Sequence, residues 1–184
     1  MGLGNLVRGK LQWKAVSIGL TGLVFIFVAS GSHATECRLY PIGLSAQIVS
    51  NVPPGTILKD VLNGGGPGSF GWLSWDGSPS EPALVAGLTP PGNSHTYVNP
   101  DSHSDRQLNI GDWVQSKPGV SNSRKVRDAL DALIGKEIVV PVWNTVRGQG
   151  ANTDYRVSAF ARVRLQSYHL PQQNRITAEF LGFA

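Results

Sequence analysis

The sequence predicts a mainly β fold: a single β-sandwich-like domain with one amphipathic helix packed on a sheet. Three features support this prediction. Short apolar stretches are separated by Pro and Gly residues, a long alternating pattern runs from Tyr155 to Tyr168, and one segment has apolar residues at helical spacing. The chain has 184 residues, of which 41% are hydrophobic and 15% charged, so it can bury a substantial core.

The first 34 residues have the three parts of a secretory signal peptide. Basic residues precede a long uncharged apolar run, and Ser32 and Ala34 supply small side chains at the positions that a signal peptidase reads. We therefore expect cleavage between Ala34 and Thr35 and export to the periplasm, the cell surface or the medium. The alternative is an uncleaved membrane anchor, since no charged residue lies between Ala15 and Thr35. Only in that case would the protein be attached to a membrane.

The charge argues against a nucleic-acid-binding protein, and the cysteine content argues against a disulfide-stabilised one. The net charge of +4 includes three basic residues before Ala34, so the remaining chain is close to neutral at +1 and no nucleic-acid partner is predicted. Cys37 is the only cysteine, which excludes an internal disulfide. The exported domain must therefore depend on its core for stability.

Residues 35–184 form the predicted extracytoplasmic domain. Its first part contains short strand patterns bounded by turn residues, at Leu39–Ile42, Ala46–Val49 and Thr56–Leu62. The next strand, Phe70–Trp75, follows a glycine-rich approach and carries large apolar side chains on both faces. Such a strand is typical of the centre of a sheet that is covered on both sides.

A long polar segment follows at residues 76–105. It is rich in Pro, Ser, Gly and Asn and is interrupted only by Leu84–Leu88. A connection of this length in a compact domain is usually a functional loop or an excursion along an edge. We predict a polar loop here and place any sequence-specific function in it.

The second half of the domain contains the predicted helix. Leu108–Val114 alternates like a strand, and Arg124–Ile134 then has apolar residues at helical spacing, after capping serines and before Gly135. A helix of this length must pack on a sheet, because an isolated helix of three turns is marginal in water. Glu137–Trp143 has the composition of a buried strand.

The last two strands are predicted to form an antiparallel hairpin. In Tyr155–Tyr168, apolar residues at alternate positions predict one inward face, and Phe160 interrupts the polar outer face. This interruption indicates that a helix or a loop covers the outer face locally. Residues 170–174 then turn the chain into the final strand, Ile176–Phe183.

Asp101, His103 and Asp105 form the one cluster with ligand-like spacing, since alternate residues of an extended loop can point toward the same cation. Calcium loops contain more carboxylates and a closing glutamate, and zinc requires a further His or Cys. We favour the alternative, a polar surface turn, so neither a metal nor a cofactor is predicted.

The chain contains no complete catalytic constellation. It has no Gly-x-Ser-x-Gly elbow, and the glycines at residues 64–68 lack the Lys-Ser/Thr of a phosphate loop. Asp76 and Glu81 could be the paired carboxylates of a secreted hydrolase, with His103 as an additional group, but no other residues support the pair. We therefore predict that the protein is not an enzyme and keep the hydrolase as an alternative.

The tryptophans provide a second alternative, a carbohydrate- or matrix-binding module that stacks indole rings on sugars. Trp75 is the expected ligand-binding residue, because it adjoins the polar loop and should be exposed. Packing within the core explains the same tryptophans, so both interpretations stay open.

Five short motifs occur in a characteristic order along the chain. They are Pro67–Leu73, Gly111–Val114, Lys117–Gly119, Val139–Val142 and Tyr155–Ala161. Their order resembles that of the extracytoplasmic region of TadE/TadG-like proteins of bacterial tight-adherence (Flp) pilus assembly, although Ser78–Asn99 has no counterpart in the family's pattern. The resemblance implies a bacterial envelope protein with a structural or assembly role and with other envelope or pilus proteins as partners. It brings no catalytic residues.

Overall fold

The computed structural model describes residues 38–64, 66, 68–117, 122–170 and 174–184. The predicted signal peptide, its cleavage site between Ala34 and Thr35, and Cys37 lie outside the described residues. Strands contain 43% of the described residues and helices 19%, so the predicted mainly β class is confirmed. No helix in the described part of the chain has the length and apolar character needed to span a membrane.

Seven strands form a single sheet. They are β1 (Ile42–Ser45), β2 (Thr56–Leu62), β3 (Phe70–Ser74), β4 (Trp113–Ser116), β5 (Glu137–Arg147), β6 (Asp154–His169) and β7 (Arg175–Phe183). The hydrogen-bonded order is β2-β7-β6-β4-β3-β1-β5, and β5 also pairs with β6. This last pairing closes β1, β3, β4, β6 and β5 into a five-strand barrel, from which β7 and β2 continue as extra strands. The predicted β-sandwich is therefore not confirmed.

The strands are antiparallel except for β1 and β5, which run parallel with Leu44 opposite Val142. The pairing of β6 with β7 confirms the predicted hairpin. Among the described strands, β2 alone has a single partner. Its ladder is interrupted by a bulge between Leu58 and Val61, where Asp60 has a φ of 51°. A bulged, charged edge discourages the addition of a further strand.

The described residues contain three α-helices and two short 3₁₀ helices. They are α1 (Ala46–Val49), α2 (Glu81–Leu88) and α3 (Arg124–Asp131), with 3₁₀ turns at Ser94–Thr96 and Gly150–Asn152. The predicted amphipathic helix is α3, which begins at Arg124 and ends at Asp131, before the predicted Ile134. Its start is capped by the Ser123 hydroxyl, which accepts a hydrogen bond from the Val126 amide at 3.2 Å.

Two predictions for other segments are wrong. Ala46–Val49 is helical instead of a strand, because Ser45 caps a single turn by accepting from the Gln47 amide. The segment predicted as a polar loop at residues 76–105 contains α2, whose first turn has the Ser80 cap and a proline, both favourable at a helix start. The apolar stretch of α2 is too short for its helical spacing to stand out from the polar residues around it.

The strand predicted at Leu108–Val114 begins only at Trp113. The residues before it form a turn in which the Asp112 carboxylate accepts from the Asn109 amide at 2.7 Å. Gly111 has a φ of 99°, a conformation that favours glycine and is incompatible with a regular strand.

The hydrophobic side chains form two clusters on opposite faces of the sheet. The outer core joins the three helices to β2, β7 and one face of the barrel strands. The barrel core consists of Leu39, Leu73, Trp75, Tyr97, Leu108, Val114, Trp143, Tyr155 and Val157. β3 lies between the clusters, because Phe70 and Trp72 belong to the outer core and Leu73 to the barrel core. The predicted central strand, covered on both faces, is confirmed.

Strand β6 changes face at Ser158. Val142 pairs with Ala159 and Trp143 with Val157, so Ser158 is an extra residue in the ladder. Tyr155 and Val157, before this bulge, therefore face the barrel core, whereas Ala161, Val163 and Leu165 face the outer core. The prediction of one continuous inward face is wrong for this reason.

The Tyr155 side chain crosses the barrel to reach Gly71 on β3. A Cβ at residue 71 would lie 2.8 Å from the Tyr155 hydroxyl oxygen and 2.9 Å from the nearest ring carbons. Strand β4 lies between β3 and β6 in the sheet, so this contact fills the interior and does not join neighbouring strands. The Tyr155 ring also packs against Trp143 with ring centroids 4.9 Å apart.

Replacing Gly71 by alanine should lower the free energy of unfolding by about 2 kcal/mol, as expected when a methyl group is forced into a packed core. Thermal and urea unfolding followed by circular dichroism would measure the loss. Gly66→Ala is the matched control, since a Cβ there has no heavy atom within 4 Å. Equal stability of the two variants would contradict the cross-barrel contact.

Tyr168 should make stability depend on alkaline pH. Burial and the hydrogen bond to Asp131, 2.7 Å from the phenol oxygen, raise its pKa from about 10 to about 12. Between these values the folded protein keeps a proton that the unfolded chain has lost, so stability is complete below pH 10 and falls as the pH rises toward 12. Urea midpoints between pH 9 and about 11.5 should fall less steeply in Tyr168→Phe, and parallel slopes would contradict this prediction.

Candidate functional site

The carboxylates of the candidate cluster at Asp101, His103 and Asp105 have other hydrogen-bond partners. The Asp101 carboxylate receives two hydrogen bonds from the Arg147 guanidinium, at 2.6 and 3.0 Å, and this partner lowers the Asp101 pKa. Asp105 accepts from the Gln107 amide and the Asn99 side chain, both at 3.1 Å, and these bonds lower its pKa. His103 is exposed. In the described ranges, no group of three or more His, Cys, Asp or Glu side chains is placed to hold a metal ion.

Asp76 and Glu81, the carboxylates of the hydrolase alternative, each stabilise local structure. Asp76 accepts from the Ser78 amide at 2.9 Å and from the Ser74 hydroxyl at 3.3 Å, which stabilises the turn before α2. Glu81 is the first residue of α2, where a negative charge is favourable. Within the described residues, neither carboxylate shares a hydrogen bond or ion pair with His103.

Trp75 is buried, and the prediction that it is exposed is wrong. Its side chain is 4% accessible and belongs to the barrel core, so it presents no open ring face to a sugar. Trp113 is partly buried, and the Arg147 guanidinium lies 4.3 Å from its ring centroid. That cation occupies one face of the indole.

Tyr97 anchors the segment 76–105 to the barrel. The side chain is fully buried and donates a hydrogen bond to the Trp113 carbonyl oxygen at 2.7 Å. The next amide, of Val98, donates to the Trp75 carbonyl oxygen at 2.7 Å. Burial, and to a lesser extent the charge of Asp112 and nearby carboxylates, raises the pKa of Tyr97. Through Tyr97, the segment is thus part of the barrel core.

A surface cavity of about 480 Å³ adjoins the barrel core. Its volume is in the range of sites for small ligands or short peptide segments. The residues that line it come from the two ends of the described chain, from residues 94–108 and from strands β5 and β6. They are Arg38, Leu39, Ser94, His95, Arg106, Gln107, Leu108, Val139, Phe160 and Ala184.

The floor of the cavity is apolar. Leu39 and Leu108 are buried members of the barrel core, and Val139 and Phe160 pack partly buried against it. The Leu39 backbone is fixed between two elements, because its amide donates to the Ser94 hydroxyl at 3.0 Å and it forms a parallel bridge with Val139. These contacts make the floor a fixed surface of the folded barrel.

The rim of the cavity contains two arginines and a histidine. Arg38, His95 and Arg106 are exposed, and no Asp or Glu side chain is among the lining residues. Arg106 forms no hydrogen bond or ion pair with another described residue, so its guanidinium donors are available to a ligand. An apolar floor below cationic donors fits a ligand that has an apolar part next to an anionic group.

No motif or periodic pattern in the sequence marks the cavity residues as a group. One of them, Phe160, does stand out in the sequence, because it interrupts the polar face of its strand. This interruption predicts that a helix or a loop covers the strand there. The structure gives a different cause, since the bulge at Ser158 turns Phe160 toward the side of the barrel core. Arg106 and His95 do not stand out in the sequence, because each is a polar residue in a stretch of polar residues.

Comparisons of the chain with protein-family models, with curated proteins and with solved structures found no match.

Arg147 should hold the segment around Asp101 against the barrel. In Arg147→Ala, amide hydrogen exchange at residues 101–105 should become roughly fivefold faster, because Asp101 loses both hydrogen bonds to the guanidinium. Acid should have the same effect on the parent protein as the pH falls through the lowered pKa of Asp101. Arg162→Ala is the control, since its nearest carboxylate oxygen, on Glu137, lies at 4.0 Å. Similar exchange in both variants would contradict this role.

Proposed function

We propose that this protein is an exported bacterial envelope protein that has a structural or assembly role and acts by binding a partner without turning over a substrate. The observation that carries the proposal is the cavity, in which an apolar floor formed by Leu39, Leu108, Val139 and Phe160 lies below a rim that contains two arginines and a histidine. An apolar surface with a few polar groups at its edge is typical of a recognition site.

Two sequence features support the location and the kind of role. The N-terminal segment has the basic, apolar and small-residue parts of a secretory signal, which supports export and release after Ala34. The order of motifs from Pro67 to Ala161 resembles that of TadE/TadG-like proteins, which supports membership in an envelope or pilus assembly.

The two alternatives receive less support from the side-chain positions. The carbohydrate-binding alternative depends on an exposed Trp75, and this side chain is only 4% accessible. The hydrolase alternative depends on Asp76 and Glu81, which act in a turn and at a helix start. The cavity therefore remains the better basis for a functional proposal.

Expression in a bacterial host, with a photo-crosslinking amino acid at Gln107, would test the proposal. We expect an envelope fraction whose mature chain begins at Thr35 by N-terminal sequencing, and a discrete crosslinked adduct with an envelope polypeptide. Gln107 is exposed and lines the cavity. The same probe at Asp128, exposed on α3, is the control and should give no such adduct.

Three results would contradict this function. The first is an unprocessed chain in the cytoplasm, and the second is equal crosslinking from Gln107 and Asp128. The third is turnover of any member of a broad hydrolase substrate panel that is abolished by Asp76→Asn, which would support the enzymatic alternative.

A further inference from the structure

One wall of the cavity consists of residues 106–108, which belong to the loop at residues 105–112, the wall loop. We propose that Asn99 is the positioning residue of the wall loop and that Arg147 acts on this loop through Asn99. The consequence for partner binding rests on the proposed function. The position of the loop itself follows from hydrogen bonds among the described residues.

Asn99 is fixed to the barrel and is only 7% accessible. The two residues before it bond to neighbouring strands. The Tyr97 hydroxyl donates to the Trp113 carbonyl oxygen at 2.7 Å. The Val98 amide donates to the Trp75 carbonyl oxygen, also at 2.7 Å. Because these bonds hold the backbone where the Asn99 side chain begins, its amide group has a defined place in the fold.

The side chain of Asn99 joins the two ends of the wall loop. Its Nδ2 group donates to the Asp105 carboxylate at 3.1 Å and to the Asp112 carboxylate at 3.3 Å. An asparagine Nδ2 group has two N–H donors, so it can serve both carboxylates at once. It also lies between two negative charges that repel each other. The first and last residues of the wall loop are therefore held by one buried amide.

Each of these carboxylates also bonds a residue inside the wall loop. The other oxygen of Asp105 accepts from the Gln107 amide at 3.1 Å, and the other oxygen of Asp112 accepts from the Asn109 amide at 2.7 Å. The Asn109 side chain donates to the Gln107 carbonyl oxygen at 3.1 Å. Leu108 lies between these two bonded residues. On each side, the wall is thus two hydrogen bonds away from the buried amide.

Arg147 reaches the same amide from the opposite direction. The Asn99 Oδ1 atom accepts from the Asp101 amide at 3.0 Å, and the Asp101 carboxylate receives both hydrogen bonds of the Arg147 guanidinium. The guanidinium also donates to Asp154 at 2.9 Å, which ties it to β6. Since Oδ1 and Nδ2 belong to one planar amide group, a displacement of Asp101 rotates the two donors that hold the wall loop.

Nuclear magnetic resonance of the folded protein would test the position of the wall loop. In Asn99→Ala, the Gln107 and Asn109 amides should exchange roughly tenfold faster and change their chemical shifts, because the carboxylates that they bond lose their donor. Amides of α3 should keep the values of the parent protein. Asn144→Ala, which changes an exposed asparagine on β5, is the matched control and should leave the wall loop unchanged.

An exchange of amide and carboxylate separates positioning from a general loss of stability. Asn99→Asp removes the donor and should displace the wall loop as far as Asn99→Ala. Adding Asp105→Asn restores an amide opposite a carboxylate at the net charge of the parent protein. The double variant should recover about half of the chemical-shift change, since one of the two bonds forms again. Unfolding midpoints of all variants would be measured in parallel.

The role of Arg147 is tested in the same spectra. Arg147→Ala should move the Gln107 and Asn109 amides in the same direction as Asn99→Ala but by a smaller amount. Combined with Asn99→Ala, it should add no further change at these amides, because the two residues act along one path. A full additional effect of Arg147→Ala in the combined variant would contradict this path.

Gln107 and Asn109 amides that stay at their parent positions in folded Asn99→Ala would overturn the proposal, and so would an exchanged double variant no closer to the parent than Asn99→Asp. If Asn99→Ala does not fold, the double variant and Arg147→Ala decide. Asn99→Ala should also lower the yield of the Gln107 crosslink about fivefold. A full yield with a displaced loop would overturn the consequence for binding. A parent protein without the crosslink contradicts the proposed function, while the spectra still decide the position of the loop.

Discussion

The contact between the Tyr155 ring and Gly71 is the constraint on which the barrel depends. A five-strand barrel has a narrow interior, and the barrel core here contains two tyrosines, two tryptophans and five aliphatic side chains. The ring fits because residue 71 has no Cβ. Gly43 serves a related purpose on β1, where a Cβ would lie 3.1 Å from Leu73 and 3.2 Å from Trp143. Two glycines on adjacent strands thus make room for the aromatic interior.

Barrel closure and the bulge in β6 together create the cavity. Closure pairs β5 with both β1 and β6, which places Val139 beside Leu39. The extra residue at Ser158 then turns Phe160 to the same side as Val139. Without the bulge, Phe160 would lie on the face of β6 opposite to Tyr155 and Val157, away from the barrel core. The candidate site is therefore a consequence of one irregular residue in the longest strand.

Segment 76–105 has a different role from the one its composition suggested. Its polar residues cap α2 and stabilise turns, and its few apolar residues enter the core, with Leu88 and Tyr97 fully buried. The ion pair of Asp101 with Arg147 joins the end of the segment to β5. Its contribution to the cavity comes through Ser94 and His95. Polar composition alone did not separate structural polar residues from those that face a ligand.

The sequence by itself determined the mainly β class, the central strand at Phe70, the helix that begins at Arg124 and the final hairpin. Each of these depends on a periodic pattern or a cap within one short segment, and such patterns reflect local backbone geometry. Only the tertiary structure decided that the sheet closes into a barrel, that Trp75 is buried and that Phe160 faces the cavity. Strand partners far apart in the chain are not encoded in a local period, and a bulge shifts every later residue to the other face without leaving a mark in that period.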